Sequence, residues 1–151
     1  MTKENQSAGD STEQQEAEKW LVSAFSNKLG VNLVKRKWSL PQGNWIEIDG
    51  FCNSPTILCE AWAHIGSAKS AQKNKIMTDA LKLLFASKFI VKNKNKQTLI
   101  LLFADKDASM HFQGKSWMAQ CLKRYNIRIK VVNLPKRLKD KILNAQQKQY
   151  R

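Results

Sequence analysis

Asp49 and Glu60 are the residues whose type and setting most invite chemistry. They lie in Trp45-Ile-Glu-Ile-Asp49-Gly-Phe and Thr56-Ile-Leu-Cys-Glu60-Ala-Trp-Ala-His64, two short segments of strand-like alternation. Alternate residues of a strand share a face, so Glu47 and Asp49 project together, as do Glu60, Trp62 and His64. Residues 51–55 include Asn, Ser and Pro, which predicts a turn and an antiparallel hairpin. Set opposite each other in that hairpin, the Asp49 and Glu60 carboxylates would repel unless a divalent cation lay between them. Glu60 is flanked by Ile57-Leu58-Cys59 and Ala61-Trp62-Ala63, where an uncompensated charge is expensive. Asp49 has a plainer competing role, forming a turn before Gly50. Glu47 reads as an exposed strand residue. The pair predicts a site for Mg²⁺ or Mn²⁺.

Basic and amide side chains follow at once. Gly66-Ser67 breaks the strand pattern, and a helix is predicted over 68–89, with Ile76, Met77, Ala80, Leu83 and Leu84 inward. Lys69, Gln72, Lys73 and Lys75 stand in its first turns. Positions 69, 72 and 73 share a helical side, so Lys69 with Gln72 or Lys73 can point back over the sheet edge. Lys69 is preferred for catalysis, then Lys75. His64 shares a strand face with Glu60 and is a candidate base or ligand, against the plainer role of a strand-end histidine. Glu16 or Glu18 could approach from the first helix, though acidic residues near a helix start have a simpler dipole explanation. Trp62 reads as packing beside the site, Cys59 as a small core residue, and His111 as isolated.

The charge indicates what the site would face. The 151 residues hold 26 Lys plus Arg against 12 Asp plus Glu, a net charge of +14. Residues 1–18 set Lys3 against Glu4, Asp10, Glu13, Glu16 and Glu18, a net of −4; the rest has 25 basic against 7 acidic residues, net +18. An excess of that size attracts polyanions, of which nucleic acid is the commonest. The plainer alternative is a basic but non-binding protein whose lysines are merely solvated. Candidate phosphate contacts are Gln72 and Lys73, the loop of Lys92, Lys94 and Lys96, and the final helix start with Lys136 and Arg137. Cys52, Cys59 and Cys121 have neither CxxC spacing nor an even number, which predicts no disulfide framework or zinc knuckle and a reducing, cytoplasmic setting. The polar, acidic start is unlike a secretory signal, and no apolar run approaches the ~20 residues of a membrane span.

The order of predicted elements places these groups. A polar tail over 1–10 is expected to be disordered, followed by one domain over 11–151. A helix runs from Ser11, a capping residue, to Gly30. Strands follow at 31–38, 44–50 and 56–64, with a turn at Pro41-Gln-Gly-Asn, and then comes the long helix. Thr98-Leu-Ile-Leu-Leu-Phe103 is a continuous apolar run, the mark of a strand covered on both faces. A helix near 114–125, a strand at 127–132 and a basic helix from Pro135 complete an α/β domain whose mixed central sheet is flanked by helices.

That order, with acidic residues on its second and third strands, resembles the PD-(D/E)xK phosphodiesterase superfamily, the restriction-endonuclease-like fold. The resemblance covers roughly residues 11–104 as an α-β-β-β-α-β core, with an α-β-α extension behind it. Asp49 matches the family's first acidic position and Glu60 the second. Where the family lysine would stand, two residues beyond Glu60, this chain has Trp62. Some branches of the family supply the lysine function from the following helix, and Lys69, Gln72, Lys73 and Lys75 are the candidates here. The resemblance implies a metal-dependent nuclease acting on nucleic acid, DNA first, as a homodimer or within a larger nucleic-acid-processing complex. A non-catalytic nucleic-acid-binding module on the same fold and a basic interaction subunit of such a complex are the alternatives.

Overall fold

The computed structural model describes residues 11–89 and 96–149; the expected disordered tail and Lys92 and Lys94 of the basic loop lie outside them. Helix α1 (Thr12–Leu29) is capped at its start by the Ser11 hydroxyl, which accepts from Gln14 N–H. It stops at Gly30, whose φ of 70° is a left-handed backbone conformation that glycine tolerates best. Strand β1 (Val34–Ser39) begins later than the predicted 31–38. Val31 and Leu33 are still tied to the helix end, their N–H groups donating to the Ser26 carbonyl and hydroxyl.

Strands β2 (Trp45–Asn53) and β3 (Thr56–Trp62) form the expected hairpin, but the turn is shorter than 51–55. Phe51 and Cys52 pair with Leu58 and Ile57, leaving only Ser54-Pro55 as the connection. β3 ends at Trp62 rather than 64. Helix α2 (Ser70–Phe89) leads to β4 (Gln97–Phe103), short helix α3 (Lys106–Ser109) and a 3-10 turn at Met110–Phe112. Helix α4 (Trp117–Arg124), strand β5 (Ile127–Val131) and helix α5 (Lys136–Gln149) follow. α3 was not expected from the sequence; Asp105 caps it by accepting from Ala108 N–H.

The five strands lie in the order β1-β2-β3-β4-β5, antiparallel as far as β3 and parallel from β3 to β5. β3 and β4 are central, so their two faces meet two cores. Ile57, Cys59 and Ala61 pack with Ala17, Leu21 and Phe25 of α1 and Leu138 and Ile142 of α5. Leu58 and Trp62 pack with Ile76, Ala80 and Leu83 of α2 and with Phe112 and Leu122. Glu60 lies between Leu58 and Trp62 on the α2 side. Burial of these two apolar layers, at roughly 25 cal/mol per Å², is what holds a carboxylate there.

Candidate functional site

The site begins with an irregularity in β2. Trp38 pairs with Ile46 and Arg36 with Ile48, but Val34 pairs with Phe51, so one extra β2 residue is accommodated between them. Asp49 and Gly50 together therefore face Lys35, the arrangement of a β-bulge. The bulge keeps both Ile48 and Phe51 in the α2-side core and re-aims Asp49.

On its other edge the β2–β3 ladder stops at Gly50 and Cys59. The next opposed pair is Asp49 and Glu60, and there side chains replace the backbone bonds. Asp49 N–H donates to Glu60 Oε1 at 3.3 Å, and Ala61 N–H donates to Asp49 Oδ2 at 3.0 Å. The two acids thus lie between the parting strands, each accepting a main-chain donor. Gly50 lets α1 come close at this point: a Cβ there would meet Val22 Cγ1 at 3.1 Å and Leu33 Cβ at 3.4 Å.

A cleft of about 890 Å³ opens over the pair. Asp49, Glu60 and Glu47 line it from the sheet, Gln15, Glu18 and Lys19 from α1, and Lys75, Asp79 and Lys82 from α2. Lys82 Nζ lies 3.0 Å from Glu60 Oε2, and Lys75 Nζ lies 3.4 Å from Asp79 Oδ2. Glu60 is only 4% exposed. Burial, then the neighbouring Asp49 carboxylate, pushes its acid up to about 9 despite Lys82. Burial likewise raises Asp79, against the pull of Lys75 and Lys82. For Lys82 burial favours the neutral amine, but Glu60, followed by Asp79 and Asp49, holds it above its ordinary value. For both acids burial outweighs the nearby ammonium groups, while for Lys82 the surrounding carboxylates outweigh burial.

Of the residues singled out from the sequence, Asp49, Glu60, Lys75 and Glu18 line this cleft. His64, Lys69, Gln72 and Lys73 do not. Because β3 ends at Trp62, His64 is off the strand and does not extend the Glu60 face. It is buried, stacked on Trp62 with ring centroids 4.6 Å apart and planes 3° apart, and its Nδ1 is 3.4 Å from Gln72 Nε2. Gln72 Oε1 accepts Lys69 N–H, so Gln72 secures the entry to α2. Burial lowers the His64 imidazole, as expected for a packed ring. Trp62 is 2% exposed and meets Phe103 edge-on. Glu16 turns to α5, 3.5 Å from Arg137 and 3.6 Å from Lys141. Lys96 and Lys136 are exposed, beside β4 and at the start of α5, and neither lines the cleft.

Asp79 and Lys82 were not anticipated. Their signal was present: Lys75, Asp79 and Lys82 stand at i, i+4 and i+7, each one position before the buried Ile76, Ala80 and Leu83. Among the described residues no cluster of three or more His, Cys, Asp or Glu is arranged to hold a metal ion. Nor is any helix among them long and apolar enough to cross a membrane. Comparison with protein-family models, curated proteins and solved structures finds no match to this chain.

Proposed function

We propose that this protein is a metal-dependent phosphodiesterase acting on nucleic acid, DNA first, built on a restriction-endonuclease-like core. The observation that carries the reading is the Asp49–Glu60 pair between parting strands with Lys82 against Glu60. The element order from α1 to β4, with an acid on the second and third strands, supports the finer topology.

The donor set fits Mg²⁺ or Mn²⁺. Mg²⁺ keeps several waters and takes one or two carboxylates plus substrate phosphate oxygens, so Asp49 and Glu60 suffice without a third ligand. Beside burial, the Asp49 carboxylate raises the Glu60 acid, and a cation between the two would relieve that repulsion. When bound, the ion would neutralise phosphate charge and favour a hydroxide nucleophile.

The chain's own groups do the rest. Asp49 and Glu60, fixed by two main-chain donors, would hold the cation and so place a phosphate at the parting strands. Lys82 orients the attacking water and offsets charge developing on the phosphoryl oxygens. It does so from α2 because the position two beyond Glu60 is occupied by Trp62, which fills the core. Lys75, restrained by Asp79, and Glu18 border the same space.

One observation favours the alternative of a non-catalytic binding module. Both Glu60 oxygens already have partners, Asp49 N–H and Lys82. Metal titration separates the two: a ligand for the native state alone raises its melting temperature. Millimolar Mg²⁺ or Mn²⁺ should stabilise the wild type and not Asp49→Ala. Calorimetry showing no metal binding by the wild type would leave the binding-module reading in its place.

A further inference from the structure

The β1–β2 ribbon extends past the cleft and carries groups that the cleft chemistry does not use. Lys35 and Lys37 share one face of it with Glu47 and Trp45: Lys37 is paired with Glu47, and Lys35 Nζ is 3.6 Å from the same carboxylate. Lys37 Nζ sits 3.8 Å from the centre of the Trp45 ring. Trp45 is 57% exposed. Arg36 belongs to the other face, its guanidinium 5.0 Å from Trp38 and 5.1 Å from Phe51. Lysines on an exposed edge strand discourage sheet-to-sheet addition. That role leaves Trp45 unexplained: a large indole held in solvent on a polar ribbon, under an ammonium group.

We infer that this ribbon face is a platform for unpaired bases of a nucleic-acid strand whose backbone enters the Asp49–Glu60 cleft. The inference rests on the nucleic-acid reading proposed above and narrows its substrate to strands with a single-stranded stretch. Lys35 and Glu47 line the cleft, so the face is continuous with it. Trp45 is four β2 residues from Asp49, about 13 Å at the usual strand rise, a span of one or two nucleotides. Lys35 and Lys37 lie along that path as phosphate partners, and an indole is a sequence-tolerant stacking surface. Stacking requires a base outside a duplex, which is why the platform selects unpaired strands.

The test is fluorescence anisotropy with the whole chain in EDTA, so that binding is read without cleavage. The probes are a labelled single-stranded DNA and the duplex of the same sequence. Trp45→Ala should weaken single-strand binding about tenfold or more, the usual effect of losing one stacking platform. Trp45→Phe should restore most of it, and duplex affinity should stay within about twofold for both variants. Replacing Lys35 and Lys37 with Gln should flatten the single-strand salt slope by about 1.4, or about 0.7 per phosphate. Wild-type single-strand affinity in Trp45→Ala, or equal losses for both probes, would overturn the platform. Metal-dependent cleavage by the wild type reports on the cleft independently and could survive that result. Failure of the wild type to bind either probe at low salt would overturn the platform, and together with an absence of metal-dependent cleavage it would remove both readings and direct the basic surface to an acidic protein.

Discussion

Lys82 Nζ lies 3.0 Å from Glu60 Oε2, joining the middle of α2 to the centre of the sheet at a position where the intervening Trp62 supplies only packing. Trp62, the next residue on the Glu60 face of β3, is committed to the core.

Trp62 should therefore behave as a core residue. Trp62→Ala should lower unfolding stability by about 3–5 kcal/mol, the usual range for truncating a large buried aromatic. It should also expose His64, which stacks on the indole. Urea unfolding checks the first effect and histidine NMR titration the second. A loss below 1 kcal/mol would show that the indole is not the packing element its burial indicates.

Gly50→Ala tests the bulge. The added methyl would lie 3.1 Å from Val22 Cγ1 and 3.4 Å from Leu33 Cβ, both in the layer that includes α1. Overpacking of this kind typically costs about 1–3 kcal/mol. Because α1 must shift to relieve it, cleavage should fall more than global stability predicts. Unfolding and activity measured on the same preparation would check this, and a neutral substitution would show that α1 yields freely.

Much of the fold was legible in the sequence because the apolar pattern is strong. The continuous run over 98–103 gives a strand covered on both faces, and it becomes β4 (Gln97–Phe103) in the centre of the sheet. Ser11 and Gly30 bracket α1 by capping chemistry. The site was less legible. Face-sharing along an extended strand linked His64 to Glu60, but β3 ends at Trp62 and the link is lost. The bulge at Asp49–Gly50 depends on pairing with β1, which residue spacing along one strand does not encode. Closeness in sequence to Glu60 favours the first turns of α2, whereas Lys82 lies in the middle of that helix. The packed helix instead brings its middle turns over the sheet.

Glu60 gives a pH dependence of definite sign. Its ordinary value is 4.5 and its folded value about 9. Between them the unfolded chain has released a proton that the folded protein keeps, so raising pH favours unfolding. The contribution of Glu60 to metal-free stability should therefore decline from about pH 4.5 to about pH 9, and Glu60→Gln should flatten that decline. Denaturant unfolding in EDTA at pH 5, 7 and 9 measures it. Wild-type and Glu60→Gln curves that run parallel across that window would contradict the assignment.

The most direct measurement is the single-turnover rate of labelled DNA cleavage in saturating Mg²⁺, for the wild type, Glu60→Gln and Lys82→Ala. The wild type should cleave, and EDTA should stop it. Glu60→Gln should be inactive, and Lys82→Ala slower by about 10²–10³-fold, as when one preorganised electrostatic partner is removed. DNA affinity should be nearly unchanged in both. No metal-dependent cleavage by the wild type, or cleavage at the wild-type rate in both variants, would contradict a phosphodiesterase site formed by Asp49, Glu60 and Lys82.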